Sequence, residues 1–341
     1  MGILPPQDFS RSHLFRVYSA LAAVQVILCI GAAYLKLSLS RATADDSPFP
    51  PVIFALFREA IAAVPLLALS RSLGGTWFPG RSKVDAFRFA LLGFFLFVNQ
   101  LFFLYGVDLS GVVVATCMQP SIPVFTAGFA LVLRMEPYSS TKVFGIFLAA
   151  AGATCMVLGS SSGAQGSGDS LRGWRGAVGC ACLVINCASM AGYYLVAKRL
   201  LARFHSSTVT AWAYVVAAAC MLSVALATVP RGRWALPSQA VGPLLYWALV
   251  CSVLGYLTIT WAASRLPASR VAAFQCLQPI AGTLIGWAAL GERLTPWDLG
   301  AAGIVGGLAL VVRAEEPSAA AAAAGDKDAL LPSGRVCDTP D

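Results

Sequence analysis

Apolar runs of about twenty residues recur along almost the whole chain, parted by short polar connectors. As a helix, each is long enough to cross a hydrocarbon core of about 30 Å. The pattern predicts ten spans, at about 15–37, 51–70, 88–107, 111–133, 143–160, 176–197, 207–229, 242–262, 269–290 and 297–314. The connectors carry turn chemistry: Asp46-Ser47-Pro48, Gly74-Gly75 and the Gly/Ser-rich 159–170 stretch. That last stretch divides the chain into halves of five spans each. The first run is too long for a secretory apolar region and has no convincing cleavage site, so it is expected to stay as a span.

Composition agrees and narrows the class. Charged residues make up 12% of the 341 residues and apolar ones 58%, with a mean hydropathy of +0.74. A soluble domain needs roughly 25% charged residues to cover its surface, so the chain is expected to be an all-α polytopic membrane protein. The net charge of +8 is the basic excess of membrane-protein loops, and no Lys/Arg run interleaved with aromatics points to nucleic acid. With the N-terminus inside, the cytoplasmic side holds 16 Lys and Arg against seven outside. Both termini are therefore expected in the cytoplasm. Nine of the ten cysteines lie in apolar runs, all but Cys337, and are expected to pack as small hydrophobes.

The halves repeat each other. Ser110, Val112, Cys117, Gln119 and Pro120 of the fourth span match Ser269, Val271, Cys276, Gln278 and Pro279 of the ninth at a constant offset of 159. A glutamate follows in each half (Glu136, Glu292), then a helix with glycines seven apart (Gly145/Gly152, Gly300/Gly307). Because five is odd, a duplicated unit must enter the membrane from the opposite side. The halves are therefore inverted repeats, an arrangement of many secondary transporters. Loop charge agrees: Arg134 and Lys142 accompany Glu136, whereas Glu292 and Asp298 outnumber Arg293.

Polar side chains inside the spans mark a candidate site. Pro120 and Pro279 fall near mid-span, and each removes an N–H and frees a carbonyl four residues earlier, those of Thr116 and Gln275, while Pro123 frees that of Gln119. Such breaks face protein or a water-filled cavity. Gln25, Asn99, Gln100, Gln119, Asn186, Ser189, Tyr256, Gln275 and Gln278 complete the candidate substrate-binding set with the two prolines and Arg58. Amides donate and accept, which suits a zwitterionic solute, and equally suits ties between helices. Arg58 and Glu59 are the ionisable pair deep in a span. Arg58 is a candidate for a substrate carboxylate and Glu59 for proton coupling, with helix-packing roles the alternative for both. No catalytic residue, cofactor motif or metal cluster is expected: His13 and His205 lie near span ends and no nucleotide-binding glycine loop occurs.

Several stretches are similar to a known family: VQVILCIGAAYLKLSL with Gln25 and Lys36, FREAIAAVPLLALSR, QLFFLYGVDLSGVVVATCMQPSIPVF, TVTAWAYVVAAACM, LGYLTITWAASRLPASRVAAFQCLQP and LGERLTPWDLGAAGIVGG. Over about residues 15–314 the chain resembles the plant EamA-type drug/metabolite transporters, specifically the nodulin-21-like, Walls-Are-Thin-related family, also called usually-multiple-acids-move-in-and-out transporters. Glu59 stands where relatives often have Asp. The resemblance implies ten transmembrane helices in two inverted five-helix EamA repeats, 15–160 and 176–314, flanked by a cytoplasmic segment 1–14, an inter-repeat loop 161–175 and a tail 315–341. It also implies a facilitator or exporter of amino acids, auxin-related metabolites or similar solutes, in the plasma or vacuolar membrane, with spans one, three, four, six, eight and nine lining the cavity. A nucleotide-sugar or sugar-phosphate carrier of the same superfamily is the alternative, and a membrane receptor or enzyme a remote one.

The tail, with six successive alanines and mixed charge, is expected to be disordered. Within it DKDALL, carrying Asp326, Leu330 and Leu331, has the pattern of an acidic dileucine sorting signal. Candidate partners are thus a small-molecule solute, the lipid bilayer, a second copy in a homodimer and an adaptor protein at the tail.

Overall fold

A computed structural model describes residues 11–39, 50–73, 82–110, 114–115, 118–161, 174–290 and 299–314. All regular structure among them is helical. The helices are α1 (Arg11–Leu39), α2 (Pro51–Ser72), α3 (Lys83–Ser110), α4 (Ile122–Val132), α5 (Ser140–Ser161), α6 (Trp174–Leu201), α7 (Ser206–Thr228), α8 (Ser238–Arg265), α9 (268–290) and α10 (Gly300–Arg313). Six of them (Leu14–Gly31 within α1, then α2, α3, α6, α7 and α8) are long and apolar enough to cross a membrane, and shorter apolar helices run over Gln119–Val132, Ser140–Cys155 and Gly300–Arg313.

Local sequence accounts for the starts and irregularities. Pro51 opens α2 at a position where its missing N–H costs nothing. The His205 ring nitrogen accepts the Ser207 N–H (3.3 Å) and so caps α7. Tyr246–Gly255, in the middle of α8, winds as a π-helix, and neither proline nor hydropathy predicts it. In α4 a 3-10 turn (Gln119–Ser121) precedes the helix, and in α9 the 3-10 segment Phe274–Leu277 separates Ala268–Ala273 from Gln278–Leu290. These turns correct one expectation. The carbonyls of Gln119 and Gln275 are not left free by Pro123 and Pro279, because the N–H groups of Ile122 and Gln278 close onto them three residues on. Thr116 lies outside the described residues. So do Val112 and Cys117, the turns Asp46-Ser47-Pro48 and Gly74-Gly75, most of the 161–175 loop, Glu292, Arg293 and Asp298, the N-terminal ten residues, and the tail with Asp326, Leu330 and Leu331.

The outer surface is apolar: Val64, Phe87, Phe94, Phe144, Phe147, Leu226, Leu254 and Val305 are all exposed. A belt of this size is a liability in water and a fit to lipid. Between helices, lipid provides no hydrophobic drive, so close packing and polar ties must hold the bundle. α5 and α10 show the first. A Cβ on Gly152 would lie 2.4 Å from the Gly300 carbonyl oxygen, and one on Gly145 would lie 2.7 Å from that of Gly307. The helices therefore run antiparallel, the first glycine of each motif against the second of the other.

Gly307→Leu is expected to destabilise the protein by about 1–3 kcal/mol through overpacking, read as a lower melting temperature in detergent. Gly128→Ala, whose added carbon would meet nothing within 4 Å, should hold or raise it, since Ala is favoured over Gly in a helix by about 0.5–1 kcal/mol. Equal melting temperatures for the two variants would contradict the contact.

Candidate functional site

The Pro-broken helices carry two matching ties across the repeats. In the 3-10 turn that leads into α4 the Gln119 amide donates to Asn186 Oδ1 on α6 (3.0 Å). In α9 the Gln278 amide donates to Gln25 Oε1 on α1 (3.0 Å). Each glutamine of the repeated Cys-x-Gln-Pro motif thus binds an amide on the first helix of the opposite half. Thiols back up both ties: Cys187 donates to the Met118 carbonyl (3.3 Å) and Cys29 to that of Gln278 (3.3 Å). Asn186 reaches α3 as well. Its side chain donates to the Asn99 carbonyl (2.7 Å), while the Asn99 amide donates to the Asn186 carbonyl (3.1 Å).

Gln275 donates to the Tyr194 hydroxyl (2.6 Å), which links α9 to α6. Tyr194 begins a run of edge-to-face rings: Tyr193–Tyr194 at 5.9 Å, Tyr193–Tyr256 at 6.2 Å and Tyr214–Tyr256 at 5.4 Å between centroids. Of this run the sequence reading singled out only Tyr256. The adjacent Tyr193 and Tyr194 inside an otherwise apolar span were the available signal. Gln100 is buried and neither amide atom has a hydrogen-bond partner among the described residues. Ser189 is also buried and stands on α6 one turn from Asn186. Pro120 is buried and Pro279 half-buried. Most of the amides are therefore engaged with one another or with backbone, and serve as interhelical ties in this conformation.

Arg58 and Glu59 take different surroundings. Arg58 lies with its guanidinium carbon 5.7 Å from the Trp247 ring centroid, a cation–π contact, and its Nε is buried without a hydrogen-bond partner among the described residues. The π-helical turn presents Trp247 there, and α1 fixes it: the indole N–H donates to the Gly31 carbonyl (3.0 Å), and the Tyr246 hydroxyl donates to that of Ile27 (3.2 Å). Glu59 is fully buried and neither carboxylate oxygen has a partner among the described residues. Consecutive helical residues point about 100° apart, so the two charges do not form one ion pair. An open groove of about 330 Å³ lies elsewhere, between α1, α2, α7 and α8, with Ala20, Leu69, His205, Ser207, Thr258 and Trp261 on its walls.

Several charges near the ends of the helices are instead engaged within the bundle, with Asp85, Lys142 and Arg270 buried. The Glu136 carboxylate, in the turn after α4, pairs with Lys142 and accepts from both the N–H (3.1 Å) and the hydroxyl of Ser269. Lys198 donates to the carbonyls of Ala263 and Leu266, each at 2.8 Å. Arg270 donates to the Tyr18 hydroxyl (2.6 Å). Asp85 is held by Arg203 (2.9 Å) and Arg88 (3.5 Å).

Comparison with known proteins adds the family. The chain is 24% identical to the protein Walls Are Thin 1 of Arabidopsis thaliana, over 89% of this chain and 85% of that one. A solved crystal structure of another protein superposes with a TM-score of 0.69 at 16% identity, covering 90% of this chain and all of that one, which speaks to the fold alone. The model of the EamA-like transporter family matches residues 19–158 and again 177–313, and the chain belongs to that family.

Proposed function

We propose that the protein is a secondary transporter of amino acids, auxin-related metabolites or similar small organic solutes, working by alternating access as a facilitator or exporter. In this reading ten spans form two inverted repeats, 15–160 and 176–314, with both termini in the cytoplasm, in a plasma or vacuolar membrane. The observation that carries it is the matched pair of ties, Gln119–Asn186 and Gln278–Gln25, at the proline-broken helices of opposite repeats. A solute with donors and acceptors can replace an amide–amide bond one for one, so these ties can part without leaving a polar group bare in the membrane. Asn99, Gln100, Ser189, Tyr256, Gln275, Pro120 and Pro279 belong to the same proposed lining. Among the described residues, the buried cations Lys142 and Arg270 and the half-buried Lys198 engage protein groups, which favours Arg58 as the cation offered to a solute. That favours a single carboxylate over a sugar phosphate or nucleotide, which needs several cations.

Purified protein in proteoliposomes should exchange radiolabelled amino acids or an auxin-type acid. Arg58→Gln should cut the flux of carboxylate-bearing solutes about tenfold or more, the usual cost of removing one charge-assisted hydrogen bond. Folded protein with no flux for any such solute would sink the reading. Glu59→Gln tests proton coupling separately. If Glu59 carries the proton, flux in the variant becomes flat with pH; if the pH profile is unchanged, Glu59 is a packing residue.

A further inference from the structure

We propose that Ala268–Ala273, the first piece of α9, is the gate at the basic end of the bundle, and that Glu136 is the latch that holds it shut. The proposal rests on the transport reading above.

Three observations converge on this piece. First, it is a separate unit: the 3-10 segment Phe274–Leu277 divides it from Gln278–Leu290. A short 3-10 stretch inside a helix is a common place for a hinge, and the core tie of Gln278 to Gln25 sits just beyond it. Second, the opposite repeat grips the piece at consecutive residues. Glu136 holds Ser269 through both carboxylate oxygens, and Tyr18 of α1 accepts from Arg270 and stacks on Phe274 at 5.6 Å, at the hinge itself. Third, the chain is strained to deliver the latch. Arg134 has φ of 51°, in the left-handed region that favours glycine. The turn is closed by Met135 N–H to the Ala130 carbonyl (2.8 Å). Without this reversal after α4, the chain would not bring Glu136 back against α9.

The latch is also made to be broken as a unit. Lys142 neutralises Glu136 within the first repeat, so the carboxylate remains compensated when Ser269 leaves. The small hollow beside the pair is lined by first-repeat residues, among them Ala127, Leu131 and Val143, so the latch is carried on the first repeat and the gate on the second. On departure Ser269 loses both bonds to Glu136 together, and the 268–273 piece swings about 274–277 while Gln278–Leu290 stays against α1.

Amide hydrogen exchange and a reversible cross-link test this on the full-length protein. Glu136→Ala should speed exchange about tenfold or more in the peptide covering 268–274, through loss of a charge-assisted bond, with 183–201 unchanged. Unchanged exchange at 268–274 overturns the latch. Glu136→Cys/Ser269→Cys, bridged by a short bis-methanethiosulfonate, should lose flux about tenfold or more, as expected when opening limits turnover, and regain it with dithiothreitol. Each variant carrying only one of the two introduced cysteines, treated alike, should keep its own untreated rate. Persistent flux in fully bridged protein overturns the gate. If the unaltered protein moves no solute, the transport reading fails on its own, and the exchange measurement alone upholds or overturns the latch.

Discussion

Inside hydrocarbon a polar group has no water to turn to, so the protein must supply every partner. The bundle is organised around that constraint. Proline in α4 and α9 forbids an unbroken helix, and the chain answers with 3-10 turns that take the exposed carbonyls of Gln119 and Gln275. What remains, the side-chain amides of Gln119 and Gln278 and the carbonyls of Met118 and Gln278, is satisfied from the opposite repeat. Local backbone chemistry thus determines which helices meet. α4 is drawn to α6 and α9 to α1 because those pairs complete each other's hydrogen bonds.

The same constraint explains the charges. A carboxylate or ammonium leaving solvent must be paired, and at the basic end each one is: Glu136 with Lys142, Asp85 with Arg203 and Arg88, Lys198 with two carbonyls. Arg58 and Glu59 depart from the pattern. Arg58 rests on an indole face and Glu59 is sealed without a hydrogen-bonding partner among the described residues. Buried groups held against the rule are where function is expected.

Much of this was legible in the sequence, and the limits have physical causes. Span-length apolar runs, the Cys-x-Gln-Pro repeat and the glycine spacing each reflect a local or periodic requirement, so they could be found without coordinates. The spacing marks both helices, but the meeting of Gly145 with Gly307 and of Gly152 with Gly300 is seen only in the structure. Partner choice is not periodic. Nothing in the spacing says that Gln119 meets Asn186, or that Trp247 meets Arg58, since the π-helical turn that aims Trp247 follows from packing against α1. Lys142 and Arg270 are counted correctly as basic residues at one end, but the count is blind to their burial.

Two kinds of contact hold the repeats together, and they differ in how they can fail. The α5–α10 glycines let backbones touch, and a separation there leaves a void with no substitute partner. Amide ties are weaker: hydrogen bonds between membrane helices contribute about 0.6 kcal/mol on average, and in the proposed cycle a solute takes over their donors and acceptors. A bundle with both has a fixed seam along α5 and α10 and an exchangeable seam along α1, α4, α6 and α9. The motion proposed here, which exposes a solute to one side and then the other, needs that asymmetry. If all the ties were as rigid as the glycine contact, the two repeats could not rock; if all were as weak as the amides, they would not return to one closed form.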